Sequence, residues 1–324
     1  MSLAASTATV EALRDRGLAP TPPLRPTAHV EGGESRKGLY NSAALATVLA
    51  LAGHTLLGFE QSVLQLVVAL ATGYGSAIFL EWVDAKVNRR RLLFAGGWKS
   101  VVLFLVPTHM TSITISFILY VGGALWPMAA IVCLAVASKY IFKVKVFGRS
   151  RHYMNPSNFA LSAGFFLIPW VNTLPYEYTT FTSGAWDWVV PSAIVMLGTR
   201  LNFFFTKRIP LILSWMATFA LQAVVRAAIG DVSLVGSLMP FTSVAFLLFS
   251  FYMITDPMTS ARGLKGQLAT GIATGVLYGL ITHAHVVFAL FFAVTIVCFV
   301  RGAMLAWDNA REARAQTPHF AWMR

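Results

Sequence analysis

The chain has 324 residues, of which 56% are hydrophobic and only 12% are charged, and its mean hydropathy is +0.66. A soluble domain carries roughly 25% charged residues, so this composition excludes a soluble enzyme and indicates a polytopic membrane protein. The formal net charge is +12, but the cations lie beside apolar stretches. That placement favours topology signals and contact with the anionic headgroups of a lipid bilayer, and it argues against nucleic acid as a partner.

Residues 1–40 are polar and proline-rich, lack the apolar stretch of a signal peptide, and are predicted to form a disordered cytoplasmic tail. A bilayer core of ~30 Å needs about 20 apolar residues per helix. Ten apolar stretches follow, and each predicts one transmembrane helix. They are 41–59, 61–83, 100–122, 124–142, 155–172, 186–206, 210–230, 234–255, 267–284 and 285–305. Residues 306–324 are predicted to form a second cytoplasmic tail.

The distribution of cations predicts the orientation. Of the 25 Lys and Arg residues, 24 fall in the termini or in alternate connections between the predicted spans, and only Arg226 lies near an outer connection. Cationic loops are retained in the cytoplasm during insertion, so both termini and these connections are predicted to be cytoplasmic. The expected fold is therefore an all-α polytopic membrane protein with ten transmembrane helices.

The outer connection at 173–187 is the longest one, and it has no cation, two acids and several aromatic residues. It divides the predicted membrane domain, 41–305, into halves of five spans each, at about 41–172 and 186–305. An odd number of spans per half would invert the second half relative to the first. Inverted halves place ligand sites near the membrane midplane between them.

Two predicted inner segments place Asn or Asp directly before proline at the edge of an apolar span. Asn155 before Pro156 predicts a helix start, because Asn caps helices and proline loses no bond at the first helical position. Asp256 before Pro257 predicts the end of a helix or the start of a short one. Simple capping is one interpretation of both. A carboxylate is costly near a membrane, however, which favours a partner or ligand for Asp256.

These residues resemble the RnfD/NqrB family, the membrane subunits of ion-pumping Rnf and Na⁺-translocating NADH:quinone oxidoreductase complexes. The Asn-Pro opening of the fifth span, the Thr-Asp-Pro-x-Thr stretch at 255–259 and the ten predicted spans carry this likeness. The UnbU branch, whose members are enediyne biosynthesis proteins, is more similar still. The residues that carry this closer likeness lie at 138–140, 152–159, 175–176, 183–185, 251–253 and 255–257. The resemblance implies a multi-pass protein of the bacterial cytoplasmic membrane with an accessory role in enediyne-type polyketide biosynthesis.

Electron-transfer members of the family carry FMN joined to a threonine in a Ser/Thr-Gly-Ala-Thr-type sequence on the outer side. The corresponding stretch here is Thr182-Ser-Gly-Ala-Trp186. Because indole cannot form a phosphoester, covalent FMN at Trp186 is excluded. The resemblance then implies a non-covalent flavin, as FMN or riboflavin, or a quinone. Trp186 and neighbouring aromatic residues could stack on such a ligand, and the alternative is an aromatic belt at the membrane interface.

We expect an inner polar wall around that ligand. Its expected members are Asn155, Asn158, Thr255, Asp256 and Thr259. Arg149, Arg151 and His152 are expected to face any phosphate.

His109 is a further candidate, because it lies in the polar stretch 106–112 beside Pro107. Helices interrupted in this way line cavities in transporters. A histidine that forms hydrogen bonds in helix packing is the alternative.

Two features are expected to be architectural. Glu81, near the inner end of the second span, is predicted to pair with Lys86 or Lys139. Gly271, Gly275 and Gly279 repeat every four residues and predict a smooth face for close helix packing.

No hydrolytic triad, phosphate-binding glycine loop, metal-ligand cluster or nicotinamide fingerprint appears in the sequence. A stand-alone enzyme is therefore not expected. The first hypothesis is a redox subunit that passes electrons to a redox or biosynthetic partner protein. The second is a small-solute transporter or a product efflux and resistance protein, and the third is a scaffold that recruits soluble enzymes.

Overall fold

The computed structural model describes residues 33–316, apart from 60, 147–148, 174–182, 231, 258 and 262. Most of these residues are helical. The first half contains α1 (Gly33–Thr55), α2 (Val63–Val87), α3 (Trp98–Ile118), α4 (Trp126–Ile141) and α5 (Pro156–Leu167). The second half contains α6 (Val189–Arg200), α7 (Ile209–Ala228), α8 (Leu234–Leu238), α9 (Val244–Leu248), α10 (Leu264–His283) and α11 (Ala289–Gln316).

Irregular helical turns extend several of these elements. Helix α6 continues as a π-helical turn at Leu201–Phe205, and α9 continues as another at Phe249–Met253. The side-chain amide of Asn202 joins them, because it donates to the carbonyl of Phe251 at 2.7 Å. Single π-turns inside helices are frequent at functional sites. Short 3-10 turns lie at Gly184–Trp188 and Met239–Thr242.

Two short antiparallel strand pairs complete the fold. Strands β1 (Leu119–Tyr120) and β4 (Asn172–Thr173) pair at one end of the helices. At the other end β2 (Lys143–Val146) and β3 (Arg149–His152) form a hairpin in the predicted fourth-to-fifth connection. The predicted all-α fold does not include this hairpin, although β2 alternates lysine and valine with the period of a strand.

In the part of the chain that the structure describes, four helices are long and apolar enough to cross a membrane: α2, α3, α7 and α11. A fifth span is possible if α8 and α9, which meet at a bend of 66°, count as one. Large apolar side chains on these helices are exposed, such as Phe79 at 60% and Leu221 at 61%, which suits contact with lipid. The protein is a membrane-embedded, multi-pass helical protein. Each of the ten predicted stretches holds helical residues, and their number as spans stays a prediction.

The first and last helices extend into the two stretches that were predicted to be tails. Helix α1 starts at Gly33, so residues 33–40 are helical, and α11 runs to Gln316, so residues 306–316 are helical too. The rest of both predicted tails lies outside the described residues.

The two halves share one apolar core. It joins residues of α3, α4 and α5 to residues of α7, α9 and α11. At one contact between the halves the ring of Phe165 in α5 stacks on that of Phe288, with centroids 4.1 Å apart. Trp215 and Phe219 of α7, both fully buried, pack against Phe246. This core fixes the positions of the polar groups between the halves.

The glycine stripe of α10 packs against α7, as predicted. A Cβ at Gly271 would lie 2.8 Å from the backbone carbonyl oxygen of Leu211, and one at Gly275 would lie 2.6 Å from Cβ of Thr218. Side chains at these positions would push the two helices apart, so glycine is required for this close contact.

Candidate functional site

A cavity of about 2490 Å³ lies between the two halves. One end, which the cation distribution predicts to be cytoplasmic and which is called the cytoplasmic end below, is lined by 88–91 and 150–152, and the opposite end by Asn172, Thr173 and Thr282. Polar groups from both halves also line the cavity: Thr108, Lys139, Asn155, Thr255 and Asp256. Aromatic residues form much of the remaining wall: Phe246, Phe249, Tyr252, Tyr278, Phe288 and Phe291.

Asn155 caps α5, as the sequence predicts. Its Oδ1 accepts from the backbone N–H of Asn158 and from the hydroxyl of Ser157, both at 3.1 Å, and Pro156 occupies the first turn. Its Nδ2 donates to the carbonyl of Met253 at 3.0 Å. A single buried side chain therefore starts a helix of the first half and binds the end of a helix of the second half.

Asp256 lies just beyond that helix end. The π-turn after α9 ends at Met253, so the helix stops before Pro257, as expected for a residue that precedes proline. The Asp256 carboxylate accepts from the hydroxyl of Thr259 at 2.8 Å. Its backbone carbonyl accepts from the N–H groups of Thr259 and Ser260 at 3.2 and 2.9 Å. These bonds hold the carboxylate at the edge of the cavity.

Two cations interact electrostatically with the Asp256 carboxylate. One is Lys139 of α4, and the other is Arg301 of α11, which also donates to the carbonyl of Thr259. The Lys139 ammonium lies 3.5 Å from the carbonyl oxygen of Pro107 and 3.5 Å from the Thr108 hydroxyl. Opposite charges from the two halves, on Lys139 and Asp256, therefore line the same cavity. Sequence reasoning did not place Lys139 here; the signal was a lysine inside an apolar span.

The structure also places the remaining inner-wall candidates. Thr255 lines the cavity, and its hydroxyl donates to the carbonyl of Phe251 at 2.7 Å. Thr259 is buried behind Asp256. Asn158 donates to the carbonyl of Phe291 at 2.7 Å and to the hydroxyl of Thr295 at 2.8 Å. Asn158 therefore lies in the contact between α5 and α11 and is not among the described lining residues, and its role in binding a ligand stays a prediction.

His109 joins three helices. The Thr47 hydroxyl of α1 donates to the carbonyl of Ala43, so it accepts from Nε2 of His109 at 2.8 Å. Nδ1 of His109 then accepts from the Tyr74 hydroxyl of α2 at 2.5 Å. Among the residues described, His109 belongs to helix packing and does not line the cavity. The interrupted helix does reach the cavity, through Pro107 and Thr108.

Arg151 and His152 lie on β3 and line the cytoplasmic end of the cavity, where they were expected to face a phosphate. Trp186 lies in the 3-10 turn Gly184–Trp188, and its side chain is outside the described part of the structure, as are residues 174–182 and the side chain of Arg149. Aromatic stacking or a belt near Trp186 therefore stays a prediction.

An ion-pair network lies beside this cytoplasmic end. Arg90 donates to both carboxylate oxygens of Glu81, at 2.5 and 2.8 Å, and also to Asp84. The hydrogen bond to Glu81 is the main reason that the pKa of Arg90 is raised above its usual value. The Lys143 ammonium of β2 lies 3.4 Å from Asp84. This network fastens the loop after α2 and the hairpin to each other.

The expected pairing of Glu81 with Lys86 or Lys139 is wrong. Arg89 adopts a left-handed conformation with φ of 49°, which turns the chain back and brings Arg90 onto Glu81. Lys86, five residues along the same helix, lies instead over the ring of Trp82 at 5.1 Å. Residues five apart do not lie on the same face of a helix. Arg90 of the loop therefore binds Glu81, and Lys86 does not.

Neither a scan against protein-family models nor a search of curated proteins finds a match for this chain. The proposals below therefore depend on the cavity, its charges and the likeness in the quoted motifs.

Proposed function

We propose that this protein is a bacterial cytoplasmic-membrane relative of the RnfD/NqrB subunits. It binds a planar flavin or quinone-like ligand without a covalent link and transfers electrons for a partner protein in enediyne-type polyketide biosynthesis. One observation carries the proposal: Lys139, Asn155 and Asp256, from both halves, converge on an aromatic-walled cavity. Apolar pockets with a few convergent polar groups are the usual form of a cofactor site.

The residues present fit such a ligand. The cavity, at about 2490 Å³, exceeds the roughly 300–1,000 Å³ of common ligand pockets. Phe249, Tyr252 and Phe291 supply aromatic surface for a flat ring. The hydrogen bonds of Lys139 to Pro107 and Thr108 are both 3.5 Å long, so its ammonium can bind a stronger acceptor.

A flavin or quinone supplies the electron-transfer chemistry when bound. Lys139 would donate to a carbonyl oxygen of the ring and stabilise the negative charge that grows there on reduction. The Asp256 carboxylate, from the other half, attracts this ammonium electrostatically. The aromatic wall excludes water, which strengthens the electrostatic effect of Lys139.

The packing supports ten spans in two inverted halves. In the first half α2 packs on α4 and α4 packs on α5, and in the second half α7 packs on α10 and α10 packs on α11. Helices α5 and α11, the last helix of each half, meet across the molecule. These equivalent pairings are those expected of an inverted repeat.

Thiol labelling tests this topology. In a variant without Cys133 and Cys298, Ser150→Cys and Ser183→Cys are introduced singly. The ten-span arrangement requires a membrane-impermeant maleimide to label position 183 from the periplasm and position 150 only after the membrane is opened. Labelling of both from one side would overturn the arrangement.

The ultraviolet-visible spectrum of detergent-purified protein, with that of its organic extract, tests the ligand. A flavin or quinone should co-purify, or bind on addition, and Lys139→Met should weaken binding at least tenfold. Lys265→Met is the matched control, because Lys265 is exposed and is not among the described residues that line the cavity. Absence of every flavin and quinone from the protein, with no binding on addition, would remove the redox role.

A transporter of small solutes, such as an efflux or resistance protein for a hydrophobic product, is the second candidate. The bend of 66° between α8 and α9, beside a cavity shared by both halves, favours it, since broken helices flank solute paths in transporters. Proteoliposomes should then show flux that falls in an Asp256→Asn variant. Equal leakage from liposomes with either protein and from empty liposomes would argue against transport.

A further inference from the structure

The charges that line the cavity are unevenly distributed. Among the described residues, six cations and three carboxylates line it, an excess of three positive charges. The cations are Arg89, Arg90, Arg91, Lys139, Lys143 and Arg151, and the carboxylates are Glu81, Asp84 and Asp256. They lie near the end of α2 and in the loop after it, at the end of α4, on the hairpin, and after the π-turn that follows α9.

The carboxylates already have cationic partners. Glu81 and Asp84 bind Arg90, and Asp84 also binds Lys143. Asp256 interacts with Lys139 and with Arg301. The other three cations of the described lining, Arg89, Arg91 and Arg151, lie at the cytoplasmic end, and we call them the basic rim.

The β2–β3 hairpin carries Arg151 of the basic rim, and contacts on both sides hold the hairpin in place. Lys143 pairs with Asp84 at 3.4 Å and lies 4.8 Å from the ring of Tyr140. On the other side the Asn309 amide of α11 donates to the carbonyl of Lys145 at 2.9 Å. Arg151 lies opposite Val144 in the ladder, so it is held between α2 and α11.

The rest of the cavity has a different character. Apart from the nine charged residues, its described lining is uncharged and largely apolar, with Phe246, Leu248, Phe249, Tyr278 and Leu290 along the wall. The cavity is therefore amphipathic along its length, basic at the cytoplasmic end and apolar further in.

We propose that the basic rim binds a phosphate head group and that the apolar wall binds the rest of an amphiphilic ligand. The inference relies on the cavity of the proposed function being a ligand site, but not on that ligand being a flavin. Arginine binds phosphate through paired, charge-assisted hydrogen bonds, and two of the three rim residues lie in one loop. The phosphate belongs either to FMN or to a phosphorylated lipid-like molecule.

Two matched pairs of probes distinguish these sources in detergent-purified protein. FMN and riboflavin differ only in the phosphate, and their binding is followed by quenching of flavin fluorescence. A fluorescent monoalkyl phosphate and the corresponding neutral alcohol form the second pair. Each is measured with the wild type, with Arg89→Gln/Arg91→Gln, and with Lys265→Gln/Arg311→Gln as a charge-matched control away from the cavity.

The proposal requires the phosphate member of at least one pair to bind about tenfold more tightly than its neutral counterpart in the wild type and in the control. The preference must fall to about twofold or less in the rim variant. If only the alkyl phosphate shows this pattern, the rim proposal stands and the flavin proposal fails. Equal binding within both pairs, or a preference that survives in the rim variant, would overturn the basic rim as a phosphate site.

Discussion

The side-chain amide of Asn155 donates to the backbone carbonyl of Met253 at 3.0 Å, and this bond joins the first helical turn of α5 to the last turn before Asp256. The segments that carry the Asn155-Pro156 and Asp256-Pro257 motifs of the sequence are thus joined by this bond. The Asn155 side chain is 5% exposed, so the bond is shielded from water. It positions the carboxylate of Asp256 relative to Lys139 across the cavity.

Replacing Asn155 should lower stability through two separable bonds. In Asn155→Ala both the helix cap and the bond to Met253 are lost, and we expect a loss of about 2–3 kcal/mol in the free energy of unfolding. Asn155→Ser keeps an oxygen for the cap but is too short to reach Met253, so it should recover about 1 kcal/mol. Thermal unfolding of the detergent-purified variants measures the difference. Equal midpoints for the serine and alanine variants would contradict the cap.

Lys139 and Asp256 should be energetically coupled. Lys139→Met removes the cation, and Asp256→Asn removes the anion while keeping an acceptor for the Thr259 hydroxyl. Because each charge compensates for the other, the double variant should lose less stability than the sum of the single variants, by about 0.5–3 kcal/mol. A double-mutant cycle on unfolding midpoints measures this coupling. Strict additivity would show that the two charges act independently, through Arg301 on one side and Pro107 on the other.

Glu81 should control the order of the loop after α2. It is 1% exposed and accepts from Arg90 and from the backbone N–H of Leu93, at 2.9 Å for the latter. Glu81→Gln weakens these bonds and should cost about 1–3 kcal/mol. Trypsin should then cleave faster after Arg89, Arg90 or Arg91, because the loop opens more often. Asp84→Asn, at a more exposed carboxylate, is the control and should change the cleavage rate less; equal rates in both variants would contradict the role of Glu81.

Gly271 should tolerate no side chain. A methyl group there would contact backbone atoms of Leu211 and Trp215, both 2.8 Å away, and backbone cannot move aside as a side chain can. We expect Gly271→Ala to cost about 1–3 kcal/mol. Gly75→Ala is the matched control, because Gly75 is helical with open space around its Cβ position, and alanine there should gain about 0.5–1 kcal/mol. Unfolding midpoints that shift in the same direction would refute the close contact of α7 and α10.

Features that depend on neighbouring residues were predictable from the sequence. Asn155 caps a helix because its own side chain reaches the N–H group three residues on, and Asp256 follows a helix end because proline restricts the preceding residue. The spacing of Gly271, Gly275 and Gly279 places them on one helix face whatever the partner is. The β2–β3 hairpin was missed because its alternation lasts only four residues, too few to be told from a loop.

The sequence by itself determined that this is a membrane protein with helices at its apolar stretches, because apolar length and charge placement are properties of the linear chain. Only the tertiary structure decided which groups meet. Glu81 binds Arg90 and not Lys86 or Lys139. His109 lies between helices, and Lys139 lies close enough to Asp256 for an electrostatic interaction. Such pairings join residues that are distant in the chain, and they depend on the angles at which helices pack, which no local periodicity encodes.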